Sequence, residues 1–268
     1  MIFSIIKQIG LVTAPLWDPI YIQCYKWVKK HRGPIPPLQN RKRVGNWPIG
    51  RFLNAGYEGY KPIKHAIESH YSLPFPELKI LDFGAGVGRT LQYFHQHNPA
   101  IYATDVDLSA TTYLKRAFPE AHIKSNHYEP PLTYPNDFFD VIYSVSIWTH
   151  LHPKDQIPWL EELKRIAKPG ALVCVTTSGF KALHLRQKRD QEWKHITDQQ
   201  LDEEGLIYRE YPSYSTEKKE FPGITRSYGL TAHTPSYILK NWSTIFMVLD
   251  MQEAVIDHIQ DLIIMKKA

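Results

Sequence analysis

The stretch Ile80-Leu81-Asp82-Phe83-Gly84-Ala85-Gly86-Val87-Gly88-Arg89 decides how the rest of the chain is read. Ile80 and Leu81 belong to an apolar run, Lys79–Phe83, that has the pattern of a buried strand. An acid, Asp82, precedes a Gly-x-Gly-x-Gly turn, and Arg89 opens a helical pattern through His97. Bare glycines at such a turn let a ligand approach the backbone, because no Cβ stands in the way. The dinucleotide fingerprint is Gly-x-Gly-x-x-Gly, with a pyrophosphate on the helix N-terminus. Here the third glycine arrives one residue early, and a carboxylate stands before the turn. A carboxylate there repels a pyrophosphate and suits a cationic ligand.

Strands and helices alternate outward from this turn. Ile101–Asp105 is the second strand, and it ends in an acid roughly 20 residues after the glycines, the distance at which such folds place a ribose-binding carboxylate. Asp107, two residues later in the turn, is the competitor to Asp105. Ser109 reads as the cap of the next helix, through Ala117. Ala121–Ser125 is a short third strand with Asn126 at its end. Phe139–Val145 is the fourth strand, running into Ser146-Ile147-Trp148-Thr149-His150-Leu151. An amphipathic helix over Ile157–Ala167 ends at a Lys168-Pro169-Gly170 turn, and Ala171–Thr177 is a buried fifth strand. Thr234-Pro235 opens a helix to Trp242. Phe246–Met251 and Asp261–Met265 are expected to pair as a hairpin, with Gln252–Gln260 as a long loop between them.

Asp82 with its glycines, Asp105, Phe139-Asp140-Val141-Ile142 and Lys168-Pro169-Gly170 stand in the order found in one family. The chain resembles the class I S-adenosylmethionine-dependent methyltransferases. Pro130-Pro131-Leu132, Ser146–Leu151 and Trp159–Arg165 are similar to a bacterial subgroup with a Ser-Val-Phe-Thr-His-Leu signature, in which Trp148 here replaces phenylalanine. Gln260-Asp261-Leu262 is also similar to that subgroup. The resemblance is good over about residues 75–180 and looser toward the C-terminus. It implies an α/β Rossmann-like sheet of seven strands, parallel except for the last, with helices on both faces.

The resemblance implies S-adenosylmethionine as cofactor, left as S-adenosylhomocysteine. Asp82 and the backbone of Gly84, Ala85 and Gly86 would hold its methionine end, with Arg89 either on the carboxylate or packed locally. Asp105 would hold the ribose, Val106 the adenine face and Asn126 the adenine edge, unless Asn126 is only a turn residue. Ser144 would lie beside the transferring methyl. His150, just past the fourth strand, is the candidate general base, or else fixes its loop through the backbone. Trp148, Tyr57, Tyr228 and His233 are candidate acceptor-binding residues; His184 and His195 are weaker catalytic candidates. No metal is expected, since His95-x-His97 and His150-x-His152 lack carboxylate or cysteine companions at ligand spacing.

The flanking regions are less informative. Residues 1–50 read as a helical appendage, in which Ile2, Ile5, Ile6 and Ile9 share a face and Asp18-Pro19 caps a second helix. Gly33-Pro34-Ile35-Pro36-Pro37 reads as a stiff linker ahead of a methyltransferase domain over 51–268. Asn54–Tyr60 reads as a loop before a short helix through Ile67. Residues 178–234 are irregular, with Tyr208, Tyr211, Tyr214 and Phe221-Pro222-Gly223 reading as turns and short strands, and are expected to form an insertion after the fifth strand that covers the acceptor. The net charge of +5 and pI near 9.0 concentrate near the N-terminus, where a solvated face is the plain reading and a peripheral membrane contact through residues 1–30 the sharper one. No nucleic-acid motif accompanies the charge, and the acceptor is expected to be a small molecule. Two cysteines, Cys24 and Cys174, fit a reducing cytoplasm. A homodimer, a peptide acceptor and a membrane lipid or quinone acceptor stay open; a nicotinamide-dependent oxidoreductase is the rival enzyme class.

Overall fold

The described residues form β1 (Ile80–Phe83), β2 (Tyr102–Asp105), β3 (His122–Ser125), β4 (Phe139–Ser144), β5 (Ala167–Ser178), β6 (Leu206–Glu210), β7 (Gly229–His233), β8 (Met247–Ile256) and β9 (Gln260–Lys266). The computed structural model describes residues 33–45, 48–211 and 228–268, with 19, 20, 22–24 and 26 ahead of them. The expected helical face from Ile2 to Ile9, the Asp18 cap and the turns near Tyr214 and Phe221 lie outside the described residues. Seven strands make the main sheet, in the order β3-β2-β1-β4-β5-β9-β8, and β6 pairs with β7 in a small second sheet. The strands β1 to β5 run parallel; β9 is antiparallel to both β5 and β8. This is the Rossmann-like seven-stranded sheet that the family resemblance implies.

Pleating explains how β1 serves both core and site. Alternate residues of a strand face opposite sides. Ile80 joins one apolar layer with Ile63, Phe94 and Tyr143, while Leu81 and Phe83 join the other with Trp159 and Leu160. Asp82 therefore shares the Ile80 face and lies at the strand's carboxyl end, only 3% exposed. Each large apolar side chain so buried contributes about 1.5–3 kcal/mol of transfer free energy. Burial of one carboxylate within these layers opposes that gain.

Several boundaries differ from the pattern reading. Asn54–Tyr60 is no loop but part of a 22-residue helix, Ile49–His70. Its glycines serve contact rather than turning: a Cβ on Gly56 would sit 2.1 Å from the Arg89 carbonyl oxygen. The helix thereby presses on the segment after the glycine turn, and Tyr93 donates to the Leu53 carbonyl at 2.9 Å. Asp107, not Ser109, caps the helix Leu108–Ala117, accepting the Ser109 N–H. Lys168-Pro169-Gly170 is an irregularity inside β5 rather than a turn ahead of it, and the β4–β5 register shifts there. The supposed loop Gln252–Gln260 mostly continues β8 to Ile256, with left-handed backbone at Ala254, Asp257 and His258. The Asp261 carboxylate accepts the Ala254 N–H at 2.8 Å and so holds that irregularity.

The basic run near the N-terminus is not simply solvated. Arg41 is 2% exposed and donates to the Pro36 carbonyl. Arg43 donates to the Asp107 carboxylate at 2.6 Å. No helix of the described residues is long and apolar enough to cross a membrane.

Candidate active site

A cavity of about 570 Å³ opens at the carboxyl ends of β1, β2 and β4. Asp82, Gly84, Ala85, Gly86, Arg89, Asp105, Val106 and Asn126 all line it, as does His150. Lys42, Arg43 and Val44 reach the same space from the N-terminal segment. The proline-rich stretch before them reads as a linker, and nothing in the pattern signals this return.

The carboxylates are held in different ways. Tyr143, on the neighbouring strand β4, donates its hydroxyl to Asp82 at 2.9 Å. Burial nevertheless pushes the Asp82 carboxyl up to about 8, with the nearby Asp105 adding to the rise and Tyr143 and Arg89 opposing it. Asp105 accepts two backbone N–H groups, from Gly86 at 2.7 Å and Asp107 at 2.8 Å. Burial lifts it too, to about 6, and those two bonds hold it down. Arg89 donates to the Ser146 hydroxyl at 3.3 Å, and burial lowers its pKa against the pull of Asp257 and Asp82.

The glycine turn works differently from a phosphate cradle. The Gly84 and Ala85 N–H groups both donate to the Thr104 carbonyl, and Gly86 N–H goes to Asp105. A phosphate site needs such N–H groups aimed at the ligand. Gly84 itself has φ of 78°, and a Cβ on it would lie 2.3 Å from Ile147. Its bareness lets the loop after β4 close over the turn.

Asn126 receives the Thr104 hydroxyl at 2.7 Å and donates to the His127 carbonyl. Ser144 is fully buried and its hydroxyl donates to the Phe83 carbonyl, away from the cavity lining; the next residues, Val145 and Ser146, take the expected place. Trp148 is also fully buried, against Phe83 and Trp242, so it is core rather than an acceptor platform. His233 is buried with Nε2 at 2.9 Å from Gln156 Oε1 and does not line the cavity. Tyr57 is 46% exposed and packs on Tyr60 and Tyr93, outside the lining. His184 contacts Asp198 at the surface, and His195 is exposed.

Tyr228 does line the cavity, and the small sheet explains why. Gly229 N–H donates to the His150 carbonyl, Thr231 N–H donates to the Thr149 carbonyl, and Leu151 bridges to Tyr228. The segment at β7 is thus sewn to the loop after β4. His150 Nδ1 lies 2.8 Å from the Gly229 carbonyl oxygen, with the Tyr211 hydroxyl 3.2 Å from the same nitrogen. A carbonyl only accepts, so neutral His150 carries its proton on Nδ1 and its lone pair on Nε2. Desolvation pushes the imidazole down to about 4, with Arg186 and Arg89 in the same direction and Gly229 opposing.

Pattern reading missed several lining residues: Arg51, Tyr128, Ser146, Tyr211, Asp257 and Gln260. Only Ser146 and Gln260 carried a signal, through the subgroup resemblance. Gln260 ties the wall together: Nε2 donates to the Ser146 hydroxyl at 2.8 Å, and Oε1 accepts the Thr176 hydroxyl at 2.7 Å.

Comparison with known proteins decides the family. A family model described as a methyltransferase domain matches residues 58–215, more than half of the chain. The chain belongs to this methyltransferase family. Among solved structures, the methyltransferase is similar to magnesium protoporphyrin IX methyltransferase from Synechocystis PCC 6803, with bound S-adenosylhomocysteine: TM-score 0.56, 12% identity, 86% of this chain and 93% of that one. It is also similar to 1,6-didemethyltoxoflavin-N1-methyltransferase from Burkholderia thailandensis, in complex with 1,6-didemethyltoxoflavin and S-adenosylhomocysteine: TM-score 0.54, 14% identity, 89% and 93% covered. A third, a putative S-adenosylmethionine-dependent methyltransferase from Listeria monocytogenes, gives 0.55 at 12% identity over 80% and 99%. At these identities the likeness is one of fold.

Proposed function

We propose that the methyltransferase uses S-adenosylmethionine to methylate an oxygen or nitrogen of a small-molecule acceptor. The observation that carries this reading is the pair Asp82 and Asp105, at the ends of adjacent parallel strands in one cavity. A buried carboxyl lifted to about 8 is costly to ionise alone and is relieved by a cation. The residues fit the cofactor: Asp82 suits its ammonium, Asp105 its ribose hydroxyls, and Arg89 its carboxylate. Two similar folds, those from Synechocystis and Burkholderia, carry S-adenosylhomocysteine, and both act on small molecules by their names. The consumed N–H groups of the turn argue against a pyrophosphate and so against the nicotinamide reading.

When bound, S-adenosylmethionine supplies a methyl group made electrophilic by its sulfonium. The chain must then hold the acceptor in line, exclude water and leave the attacking atom a lone pair. Asp82 and Asp105 anchor the cofactor at two points and fix its position. Gly229 orients His150 and keeps its proton on Nδ1. His150 Nε2 accepts the proton that the acceptor loses as it is methylated. Its weak basicity keeps the ring neutral, with that lone pair available, across the neutral pH range.

Isothermal titration of the wild type and Asp82→Ala with S-adenosylhomocysteine and with NADH tests the reading. We expect S-adenosylhomocysteine to bind the wild type and to lose at least about a hundredfold in affinity in the variant, roughly 2.7 kcal/mol. Preference for NADH, or no binding to the folded wild type, rejects it.

A further inference from the structure

The cavity has a second wall whose chemistry the cofactor does not require. His150 lies nearly flat on Tyr228, with ring centroids 5.1 Å apart and planes 19° apart. Tyr211 lies beside both, at 6.0 Å from His150 and 5.7 Å from Tyr228. Leu151 and Leu230 complete this wall, and all five residues line the cavity. None of these side chains carries a charge at neutral pH: burial holds the imidazole neutral and, with Tyr211 and Asp105 nearby, raises the Tyr228 phenol. Arg186, one of two arginines whose charge acts on His150, donates to the Thr231 carbonyl and the Ser178 hydroxyl and lies over the Trp193 ring.

Such a wall selects by shape and π-face rather than by charge. Aromatic rings prefer offset or edge-on neighbours at centroid separations of about 4.5–7 Å. The spacings among these three rings fall in that range, so they already form a cluster that a further flat ring can extend. A sugar needs several carboxylate or amide partners for its hydroxyls, and none of these five side chains is such a group. Cations line the same cavity at Lys42, Arg43, Arg51 and Arg89, but none of these five side chains is one.

We infer that the acceptor is a planar aromatic molecule, seated against His150, Tyr211 and Tyr228 with its methylated oxygen or nitrogen beside His150. This rests on the methyl-transfer reading above and names the substrate class for that site. In the step, a lone pair on the acceptor atom forms the new bond to the methyl carbon. The carbon–sulfur bond breaks with its electron pair returning to sulfur, and the acceptor's proton passes to His150 Nε2. The Synechocystis and Burkholderia proteins, whose names specify a porphyrin and a toxoflavin precursor, also take flat ring systems, but the inference stands on the wall itself.

The experiment uses the full chain saturated with S-adenosylhomocysteine and three neutral probes: 2-naphthol, its saturated counterpart decahydro-2-naphthol, and methyl β-glucoside. We expect 2-naphthol to bind at least about fivefold more tightly than the saturated alcohol, in keeping with the increment for ring pairing beyond area alone. In Tyr228→Leu and Tyr211→Leu the ratio should fall toward one, while Tyr228→Phe keeps it. Affinity for S-adenosylhomocysteine reports folding and cofactor binding separately in each protein. If S-adenosylhomocysteine does not bind the wild type, the parent reading fails. If it binds but 2-naphthol shows no preference, or the glucoside binds best, the inference is overturned. If both leucine variants weaken S-adenosylhomocysteine as much as 2-naphthol, the wall serves the cofactor and the inference is likewise overturned.

Discussion

The carboxylate wall and the aromatic wall of one cavity are built on opposite plans. Asp82 and Asp105 stand at the carboxyl ends of the adjacent parallel strands β1 and β2, where Asp82 lies opposite Ala103, two residues before Asp105. Their positions follow from a single strand–turn–helix–strand unit. His150 comes from the loop after β4, Tyr211 follows β6 and Tyr228 precedes β7, and they meet because residues 228–231 bond to residues 149–151. One wall is charged and specified locally; the other is neutral and specified by long-range pairing. A cofactor common to many enzymes suits the first plan, and an acceptor particular to one suits the second.

The largest expected effect falls on the carboxylate wall. Asp82→Asn keeps an acceptor for the Tyr143 hydroxyl but removes the charge. We expect at least about a hundredfold loss of S-adenosylhomocysteine affinity by calorimetry. The same variant should be more stable without ligand at pH 8. The Asp82 carboxyl is raised from 3.8 to about 8 on folding, so the folded state holds the extra proton between those values. Its contribution to stability is therefore lost as pH rises through that window, and the asparagine escapes the loss. A melting temperature higher by about 4 °C or more at pH 8 is expected, at roughly 2–4 °C per kcal/mol for a chain of this size. An unchanged melting temperature together with unchanged affinity would erase the contrast between the walls.

A smaller effect belongs to the aromatic wall. His150→Gln retains a donor for Gly229 but has no basic nitrogen, and turnover should fall about 10- to 100-fold while S-adenosylhomocysteine affinity stays within about twofold. Single-turnover assays separate the two. Equal losses in both would merge the walls into one unit.

Next comes pH. Ionisation of Asp82 should make S-adenosylhomocysteine affinity climb by up to about tenfold per unit as pH approaches 8. Uptake or release of protons, measured by titration in buffers of different ionisation enthalpy, checks it. His150, lowered from 6.5 to about 4, works in the other sense on folding: its contribution is gained as pH rises through that interval.

The smallest effect is expected at Ser144. Its hydroxyl is committed to the Phe83 carbonyl, so Ser144→Ala should cost about 1 kcal/mol of stability and leave methyl-acceptor KM within about twofold. A large change in KM would return Ser144 to the cavity.

These contrasts also explain what could be read in advance. The strands and the acids Asp82 and Asp105 at their ends were legible because they are short-range patterns, and the parallel seven-stranded sheet came with the family resemblance those patterns carry. Gly56 misled because glycine marks both a turn and a close contact, and only the approach of Arg89 separates the two. Trp148 misled for a similar reason: an aromatic after β4 suits an acceptor platform or a core, and its neighbours Phe83 and Trp242 make it core. Tyr143 was hidden inside an apolar strand, and its role appears only once β4 lies beside β1. Tyr211 had no local signal at all.

Gln260 carries a consequence for how the protein comes into being. It braces Ser146 across 114 positions of chain, from a strand that slots between β5 and β8. A ribosome that has just finished β4 has already made the glycine signature, both acids and Arg89, yet has not made the glutamine that also holds Ser146. The hallmark by which the enzyme is recognised is thus made well before the residue that completes the bracing of the loop after β4.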